Sequence, residues 1–313
     1  LVRTFDTKAV NLQRTGKLGT YPPALGHEAA QVGAAAALRP EDVIAPVYRE
    51  IGTQIWRGVR MVEILRYWGG DESGNNFENT RHDFPWCVPI ATQCLHAAGS
   101  ALAFKLRGEA RVALACVGDG GSSKTDTYAA INSAGAYGLP FVLCIINNQW
   151  AISVPRTAQT GAKTLAQKGL AGGLECLQVD GNDIIAVKAA VAYAVKRARH
   201  GHGGTVLELI TYRLSDHTTA DDARRYRDDE QVKAAWQREP VKRLKTYLLA
   251  QGWWSEDEET SWIAESNAWA DAEVDAYLAT TVQPVEAMFD YLYAELPHDV
   301  AEQREQALGW EKR

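Results

Sequence analysis

The 313-residue sequence predicts an α/β protein in which a parallel sheet is flanked by helices. Short apolar runs rich in β-branched residues indicate buried strands. Segments of helical length lie between these runs, and such alternation is typical of a parallel sheet covered on both faces. Because 46% of the residues are hydrophobic, the chain can bury a core of the size that this fold requires.

Four apolar runs are predicted as strands of this sheet. A weaker run, LECLQV, spans 174–179. The three clearer runs are bounded by turn residues and are RVALACV (111–117), PFVLCII (140–146) and TVLELITY (205–212).

The segments that alternate with these runs have helical patterns and open with capping residues. They cover 92–108, 122–138 and 182–200. After about residue 229 the strand patterns cease, while helical periods such as PVKRLKTYLLAQGWW continue. We therefore expect an α/β domain over 1–228 and a helical C-terminal extension of the same domain over 229–313.

Two long segments without periodicity, 69–89 and 213–228, are predicted as functional or mobile loops. Both exceed the roughly 4–6 residues of an ordinary connection in a compact domain. The second loop carries charges of both signs, so we expect it to be mobile until a ligand orders it.

The composition argues against two classes of partner. The net charge is −6 and the lysine and arginine residues are scattered, so no nucleic-acid-binding surface is predicted. No apolar stretch reaches the roughly 18 residues that a membrane span needs. Five cysteines without a CxxC pair are typical of reduced thiols, which favours the cytoplasm or, alternatively, an organelle matrix. Because the sequence begins at Leu1 rather than Met, we leave open whether a targeting segment precedes it.

A glycine turn that contains an acid follows the first clear strand. This turn, GDGG at 118–121, leads into a helix, and free backbone N–H groups at a helix start suit a phosphate. Asp119 would repel a bare phosphate, but a divalent cation between them resolves the conflict. Mg²⁺ takes hard oxygen ligands together with phosphates, and Asn147 and Asn148 end the neighbouring strand at the same sheet edge. The pattern therefore predicts a magnesium and phosphate site with one of these asparagines as a ligand.

The spacing of the two motifs resembles a known family. Either motif alone is more often a simple turn or strand end. Together, GDG, the 26 residues from Gly121 to Ile146, and NN match the thiamine diphosphate-binding motif. Nearly the whole chain resembles the alpha subunit of the first, decarboxylating component of 2-oxo acid dehydrogenase complexes, most like pyruvate dehydrogenase. The segments that carry this resemblance are LQRTGKLGTYPPALGHEAAQVGAAAAL, PVYREIG, NNQWAISVP, VDGND, YRLSDHTTADDARRYR and LLAQGWWSEDEE.

The resemblance implies a thiamine diphosphate-binding fold, the cofactors thiamine diphosphate and Mg²⁺, and roles for individual residues. Asp119, the side chain of Asn148 and the backbone carbonyl of Trp150 would hold Mg²⁺. His217 would be the catalytic residue, with a near-neutral pKa that suits proton transfer or stabilisation of developing charge. The residues expected to bind the cofactor are Tyr48, Arg49, Val88, Ile90, Gly118, Asp119, Gly120, Gly121, Asn148 and His217.

Several positions depart from the family pattern. His27 replaces the commoner glutamine, Thr125 stands where a glycine is usual, and Ile146 occupies a position where some members have an arginine that binds diphosphate. We therefore expect fewer phosphate contacts and a greater reliance on Arg49 and Mg²⁺.

Two neighbours of His217 also differ from relatives. Asp216 precedes it, and a carboxylate brought close to the ring would raise the pKa of the histidine. Thr218 follows it, where the organelle enzymes carry a regulatory phosphoserine, so that control is not predicted for this chain.

The implied reaction is decarboxylation of a 2-oxo acid and reductive acylation of a lipoyl group on an acyltransferase core. Pyruvate is the preferred substrate, and a branched-chain 2-oxo acid is the alternative. In this family a glutamate from a separate beta chain acts on the aminopyrimidine ring, whereas Glu28 and Glu50 belong to motifs with other positions. We therefore expect a heterotetramer of two alpha and two beta chains that is active only with the beta chain.

Two further interpretations stay open. The first is that the chain is a self-sufficient thiamine enzyme of the transketolase or decarboxylase type, which its cofactor motif resembles. Those enzymes, however, carry both cofactor domains in one longer polypeptide. A non-catalytic scaffold with the same fold is suggested by Thr125 and Ile146. The argument against the scaffold is that Asp119, Asn148, Arg49 and His217 are all present.

Overall fold

A five-stranded parallel sheet forms the centre of the protein in the computed structural model, which describes residues 1–311. The strands in chain order are β1 (Val43–Ala45), β2 (Ala113–Gly118), β3 (Phe141–Asn147), β4 (Trp150–Ala151), β5 (Val154–Pro155), β6 (Glu175–Asp180) and β7 (Thr205–Ile210). The central sheet has the order β1-β2-β3-β7-β6, and all its neighbours pair in parallel. β4 and β5 form a separate antiparallel hairpin.

The predicted parallel sheet is confirmed, and the four predicted strands are β2, β3, β6 and β7. β3 ends one residue later than predicted, at Asn147, and β7 ends at Ile210 rather than at residue 212. β1 is absent from the prediction because its run of three residues is too short to produce a recognisable pattern.

Helices cover both faces of the sheet. The α-helices of the described chain are α1 (Val2–Arg14), α2 (Glu28–Ala35), α3 (Ile51–Arg57), α4 (Met61–Trp68), α5 (Thr92–Arg107), α6 (Thr125–Ala136), α7 (Arg156–Gln159), α8 (Ile184–Arg199), α9 (Asp229–Trp236), α10 (Pro240–Ala250), α11 (Glu256–Leu278) and α12 (His298–Glu311). In β2, Ala113, Ala115 and Val117 pack in the core with α5 and α6. Leu114 and Cys116 pack on the opposite face with α2 and α8. This alternation is the period of two that places successive strand residues on opposite faces.

The cysteines behave as the sequence predicts. Cys116 and Cys144 are buried neighbours in register on β2 and β3, and all five cysteines of the chain are free thiols. Burial raises the pKa of the Cys144 thiol. Both residues therefore act as small apolar side chains in the sheet.

A third core joins the N-terminal helices to the C-terminal region. Phe5 of α1 and Ile64 of α4 pack in one cluster with Ala270 of α11. Tyr277 of α11 donates a hydrogen bond to the backbone oxygen of Lys17 at 2.8 Å. The described residues after 228 contain helices and no strand, while the last two residues of the predicted extension lie outside the described part. The division of the domain at residue 228 stays a prediction.

The two predicted loops are largely irregular. The first contains a short 3₁₀ helix at Glu72–Asn75, and the second contains one at Ala223–Arg225. In the described chain, no helix is both long enough and apolar enough to cross a membrane.

Candidate active site

A cavity of about 560 Å³ lies at the carboxyl ends of β2 and β3. All residues that the sequence predicts as cofactor or metal ligands line this cavity. They are Tyr48, Arg49, Val88, Ile90, Gly118, Asp119, Gly120, Gly121, Asn148, Trp150 and His217. The fold thus brings together residues from distant parts of the sequence, at the sheet edge where ligands bind in open α/β folds.

The glycine turn after β2 has no room for a side chain at two positions and open space at a third. A Cβ atom at Gly120 would lie 2.5 Å from the Cβ of Ala151, and one at Gly121 would lie 2.5 Å from Cγ2 of Val117. Real Cβ atoms do not approach so closely, so these two positions require glycine. At Gly118, no described atom lies within 4 Å of a Cβ position. The absent side chain there leaves open space in which a ligand can approach the backbone closely.

Asp119 of this turn is a buried carboxylate with 2% exposure. Its Oδ2 accepts a hydrogen bond from Nε2 of Gln159 at 2.7 Å. Among residues 1–311, no lysine, arginine or histidine forms an ion pair with it. Burial raises the pKa of Asp119, and the hydrogen bond from Gln159 offsets part of the increase. A bound divalent cation would compensate this buried charge.

The two consecutive asparagines have different partners. Nδ2 of Asn147 donates to Oε1 of the buried Glu208 on β7 at 2.7 Å, so Asn147 is bound within the protein. Asn148 lines the cavity, and its Oδ1 accepts a hydrogen bond from the backbone N–H of Trp150 at 3.1 Å. Of the two candidates that the sequence left open, the structure therefore places Asn148 near Asp119.

The backbone after β3 adopts an uncommon conformation beside the cavity. Gln149 has a φ of 74° and Ile152 has a φ of 56°, both in the left-handed region that favours glycine. Gln149 connects Asn148 to Trp150, and Ile152 itself lines the cavity. A third left-handed residue, Ala91, has a φ of 72° and follows another lining residue. Such outliers cluster at functional sites, where the surrounding structure holds them in place.

Two buried guanidinium groups lie beside His217. Arg49 is 5% exposed and donates to the backbone oxygens of Pro23 and His217 at 2.9 and 2.8 Å. Arg213 is fully buried directly behind His217, where it donates to a backbone carbonyl and a tyrosine hydroxyl. In the described chain, neither group forms an ion pair with a carboxylate. Two buried positive charges without an acidic partner favour an anion at this end of the cavity.

His217 accepts rather than donates at its Nδ1 atom. This nitrogen lies 3.1 Å from Nη2 of Arg49 and 3.3 Å from Nη1 of Arg213. Guanidinium groups can only donate, so the proton of the neutral imidazole belongs on Nε2. The ring also packs edge-on against Tyr48, with ring centroids 6.2 Å apart.

The environment of His217 does not favour the near-neutral pKa expected from the sequence. Burial, followed by the charges of Arg49 and Arg213, lowers the pKa to about 3. The carboxylate that raises this pKa is that of Asp221 and not that of the adjacent Asp216, whose Oδ1 accepts a hydrogen bond from the backbone N–H of Ala223 at 2.9 Å.

The positions that depart from the family pattern have defined environments. His27 is 1% exposed, and burial lowers its pKa to about 3. Ile146 is buried in β3 and lines the cavity as an apolar residue, and Thr125 is the first residue of α6. The expectation of fewer phosphate contacts stays a prediction.

Several polar residues at the site are absent from the sequence-based assignment. Arg213 was predicted only as a loop charge, and Lys124 lines the cavity beside the glycine turn. Glu50 also lines the cavity, accepts a hydrogen bond from Thr53 at 2.8 Å, and has a pKa that burial raises to about 7. The position of Glu50 directly after Arg49 was the only sequence signal for its location.

Lys168 is another residue that the pattern did not reveal. Its Nζ donates to the backbone oxygen and Oγ of Ser122 at 2.9 and 2.8 Å, and to Oγ of Ser123 at 3.0 Å. Burial lowers the pKa of Lys168 to about 8. Lys168 therefore supports the glycine turn from outside the cavity.

The donor set fits a diphosphate with a divalent cation. Arg49 and Lys124 supply positive charge, Asp119 and Asn148 supply oxygen atoms, and the open space at Gly118 admits a ligand close to the backbone. The described residues contain no group of three or more His, Cys, Asp or Glu side chains that could hold a metal. A cation here would need phosphate and water oxygens as further ligands, as Mg²⁺ characteristically does.

This parallel sheet flanked by helices, with its glycine turn and cavity at the strand ends, agrees with the thiamine diphosphate-binding fold of the family that the chain matches. A family model described as the dehydrogenase E1 component matches residues 1–285. The chain belongs to this family, which is thiamine diphosphate-dependent, and is an alpha subunit of a 2-oxo acid dehydrogenase. Alpha subunits of this family work with a beta subunit.

Relatives with two different names match the chain over most of its length. The 3-methyl-2-oxobutanoate dehydrogenase subunit alpha of Mycobacterium tuberculosis is 42% identical over 306 residues, which is 98% of this chain and 83% of that protein. The pyruvate dehydrogenase E1 component subunit alpha of Acholeplasma laidlawii is 40% identical over 311 residues, which is 98% of this chain and 89% of that protein. The protein of the same name from Staphylococcus epidermidis is 39% identical over 305 residues, which is 97% of this chain and 82% of that protein.

Proposed function

We propose that this alpha subunit binds thiamine diphosphate with Mg²⁺ in the cavity and, with its beta chain, decarboxylates a small 2-oxo acid and acylates a lipoyl group. One observation carries the proposal. The same cavity is lined by the buried cation Arg49 and the buried carboxylate Asp119, and within residues 1–311 neither forms an ion pair. An anion and a divalent cation bound together would satisfy both charges.

The glycine turn and the side chains around it would hold the diphosphate end of the cofactor and its metal ion. Arg49 and Lys124 would contribute charge, and the backbone at Gly118 would contact phosphate oxygens. Asp119, the side chain of Asn148 and the backbone carbonyl of Trp150 would bind Mg²⁺. Gly120 and Gly121 permit the tight turn that places Asp119.

The apolar part of the cavity would support the organic rings of the cofactor. Val88, Ile90 and Ile146 line it and would exclude water from the reacting carbon. Tyr48 lies against His217 and would help to keep the histidine ring in position.

When bound, thiamine diphosphate supplies the carbon nucleophile that attacks the ketone carbon of a 2-oxo acid. His217 would act beside it as a neutral donor through Nε2–H, because its Nδ1 accepts from two guanidinium groups. Such a donor stabilises negative charge that develops on a bound substrate. Diphosphate near Arg49 would weaken the positive field and raise the pKa of His217 toward the range useful for proton transfer.

Pyruvate and 3-methyl-2-oxobutanoate are the two candidate substrates. Pyruvate remains the preferred one from the segment between Asp119 and Pro155. The branched-chain acid is favoured by the 42% identity to the Mycobacterium tuberculosis protein and by the resemblance of YLLAQGWW to branched-chain members.

The assembly proposed for this chain contains two alpha and two beta chains, with the cofactor at each alpha–beta interface. The beta chain would contribute the carboxylate for the aminopyrimidine ring. The acylated product requires a lipoyl-bearing acyltransferase as the next partner. A cytoplasmic location stays a prediction.

The test is CO₂ release by the reconstituted alpha–beta pair with each of the two 2-oxo acids, an artificial electron acceptor, thiamine diphosphate and Mg²⁺. We expect turnover with at least one acid and none when either thiamine diphosphate or Mg²⁺ is omitted. Turnover that persists without both cofactors would contradict the proposal. The ratio of kcat/KM for the two acids would decide between the candidate substrates.

A further inference from the structure

Gln159, at the end of α7, contacts the carboxylate that the proposed function assigns to Mg²⁺. Its Nε2 donates to Oδ2 of Asp119 at 2.7 Å and to the backbone oxygen of Val154 at 3.1 Å. The two residues are 40 positions apart in the sequence. No motif points to this contact, and Gln159 itself is not among the residues that line the cavity.

The orientation of the Gln159 amide follows from its partners. Both Asp119 Oδ2 and the Val154 carbonyl accept hydrogen bonds, so the amide nitrogen and not the oxygen must face them. The opposite atom, Oε1, is then buried, and it has no hydrogen-bond partner within the described chain. A buried acceptor without a donor is costly, so a water molecule or another donor is expected there when the site is filled.

The segment that carries Gln159 is held on both sides. Before it, the β4–β5 hairpin leads directly into α7. After it, Oε2 of Glu208 accepts from the backbone N–H groups of Leu165 and Ala166 at 2.8 and 3.2 Å. Lys168 then binds the turn at Ser122 and Ser123. These contacts give Gln159 a defined position relative to Asp119.

We propose that Gln159 is a positioning residue for the divalent cation. By holding Oδ2 of Asp119, it fixes the plane of the carboxylate and leaves Oδ1 as the metal ligand, while its own Oε1 accepts a hydrogen bond from a water molecule of the hydrated cation. Partners that orient a metal ligand in this way typically contribute roughly 10–100-fold to metal affinity. This inference rests on the proposed cofactor and goes beyond it by assigning a residue outside the cavity lining.

An opposite role for the same contact is that Gln159 occupies the position of the cation and must withdraw when the cation binds. The two roles predict opposite effects of removing the amide. A positioning residue strengthens cation binding, whereas a residue that competes with the cation weakens it.

The test uses the alpha–beta pair and the variants Gln159→Leu and Gln159→Met, which keep much of the side-chain volume and remove the amide. Mn²⁺ affinity in the presence of thiamine diphosphate is measured by electron paramagnetic resonance. We expect Mn²⁺ to bind roughly 10–100-fold more weakly in both variants. At saturating Mn²⁺ the calorimetric affinity for thiamine diphosphate should match that of the unmodified pair.

Gln167→Leu is the matched control, because Gln167 lies in the same segment and its Oε1 accepts an exposed hydrogen bond from the backbone N–H of Thr164 at 3.3 Å. Its Mn²⁺ affinity should not change. Unchanged or tighter Mn²⁺ binding in the Gln159 variants overturns the inference. Weakening of cation and cofactor binding together with a lower melting temperature shows a structural role only and also overturns it.

Failure of the proposed function has a different signature. If the unmodified pair binds no Mn²⁺ in the presence of thiamine diphosphate, the proposed cofactor site is wrong. If the unmodified pair binds both and the Gln159 variants bind equally well, only the inference about Gln159 is wrong.

Discussion

Replacing Asp119 by asparagine removes one negative charge from the proposed metal site while keeping the side-chain volume. The new amide retains an oxygen that can accept the hydrogen bond of Gln159, so the contact seen at 2.7 Å can persist. Because burial raises the pKa of Asp119, the charge is disfavoured in the protein without a ligand. We therefore expect the free energy of unfolding without cofactor to change by about 1 kcal/mol or less.

Cofactor binding should respond much more strongly to Asp119→Asn than stability does. A unit charge about 4 Å from another contributes about 4 kcal/mol at an effective dielectric constant of about 20. Solvent screening is weak here because only 2% of Asp119 is exposed. The loss corresponds to roughly a thousandfold weaker Mg²⁺-dependent binding of thiamine diphosphate.

Calorimetric titration of the alpha–beta pair with thiamine diphosphate at fixed Mg²⁺ measures this loss. Asp126→Asn is the control, since Asp126 lies in the first turn of α6 and does not line the cavity. Its affinity should stay within about threefold of the unmodified pair, which is less than about 1 kcal/mol. If Asp119→Asn also stays within this range, Asp119 is not a metal ligand.

Four further predictions concern the cavity and the 213–228 loop beside it. Gly118→Ala should weaken thiamine diphosphate binding without lowering the melting temperature. Gly121→Ala should lower the melting temperature by overpacking, because its Cβ would lie 2.5 Å from a neighbouring side chain. Equal melting temperatures of the two variants in scanning calorimetry would contradict this. Arg213→Met should raise the pKa of His217 above about 3, since one of the charges that lower it is removed, and a ¹³C-histidine NMR titration with no upward shift would refute the assignment. Because the pKa of His217 is lowered from 6.5 to about 3, its contribution to the free energy of unfolding is present above pH 6.5 and is lost as the pH falls from 6.5 toward 3. Arg213→Met should narrow this pH range, and acid unfolding experiments measure the change. Tryptic cleavage after the exposed Arg224 should slow when thiamine diphosphate and Mg²⁺ are added, and equal rates would count against ordering of the 213–228 loop by the cofactor.

The central sheet was predictable because its strands leave local patterns. Four strands have apolar runs of at least six residues, and the turn after β2 contains glycines at positions with no room for a side chain. β1 is too short for such a pattern, and only its pairing with β2 defines it. The third core has no local pattern either, because the packing of α11 on α4 connects residues that are distant in the sequence.

The sequence predicts the site residues that directly follow strand ends. It does not predict properties that depend on contacts between distant segments. Asp119 and Asn148 follow strand ends, and sheet geometry brings such ends together. The pKa of His217 could not be inferred from its neighbour Asp216, because burial of the ring, followed by the charges of Arg49 and Arg213, lowers it. The contact between Gln159 and Asp119 likewise depends on the path of the segment after β3, which no sequence period describes.

The most direct test of the account compares the alpha chain alone with the alpha chain plus a matching beta chain. The central claim is that this cavity holds the metal and diphosphate part of an active site whose ring-activating carboxylate belongs to the beta chain. CO₂ release is measured with pyruvate and with 3-methyl-2-oxobutanoate, at saturating thiamine diphosphate and Mg²⁺ with an artificial electron acceptor. We expect no turnover by the alpha chain alone and turnover of at least one acid by the pair. Substantial turnover by the alpha chain alone would contradict the two-chain active site and would direct attention to Glu50, which lines the cavity in addition to Asp119.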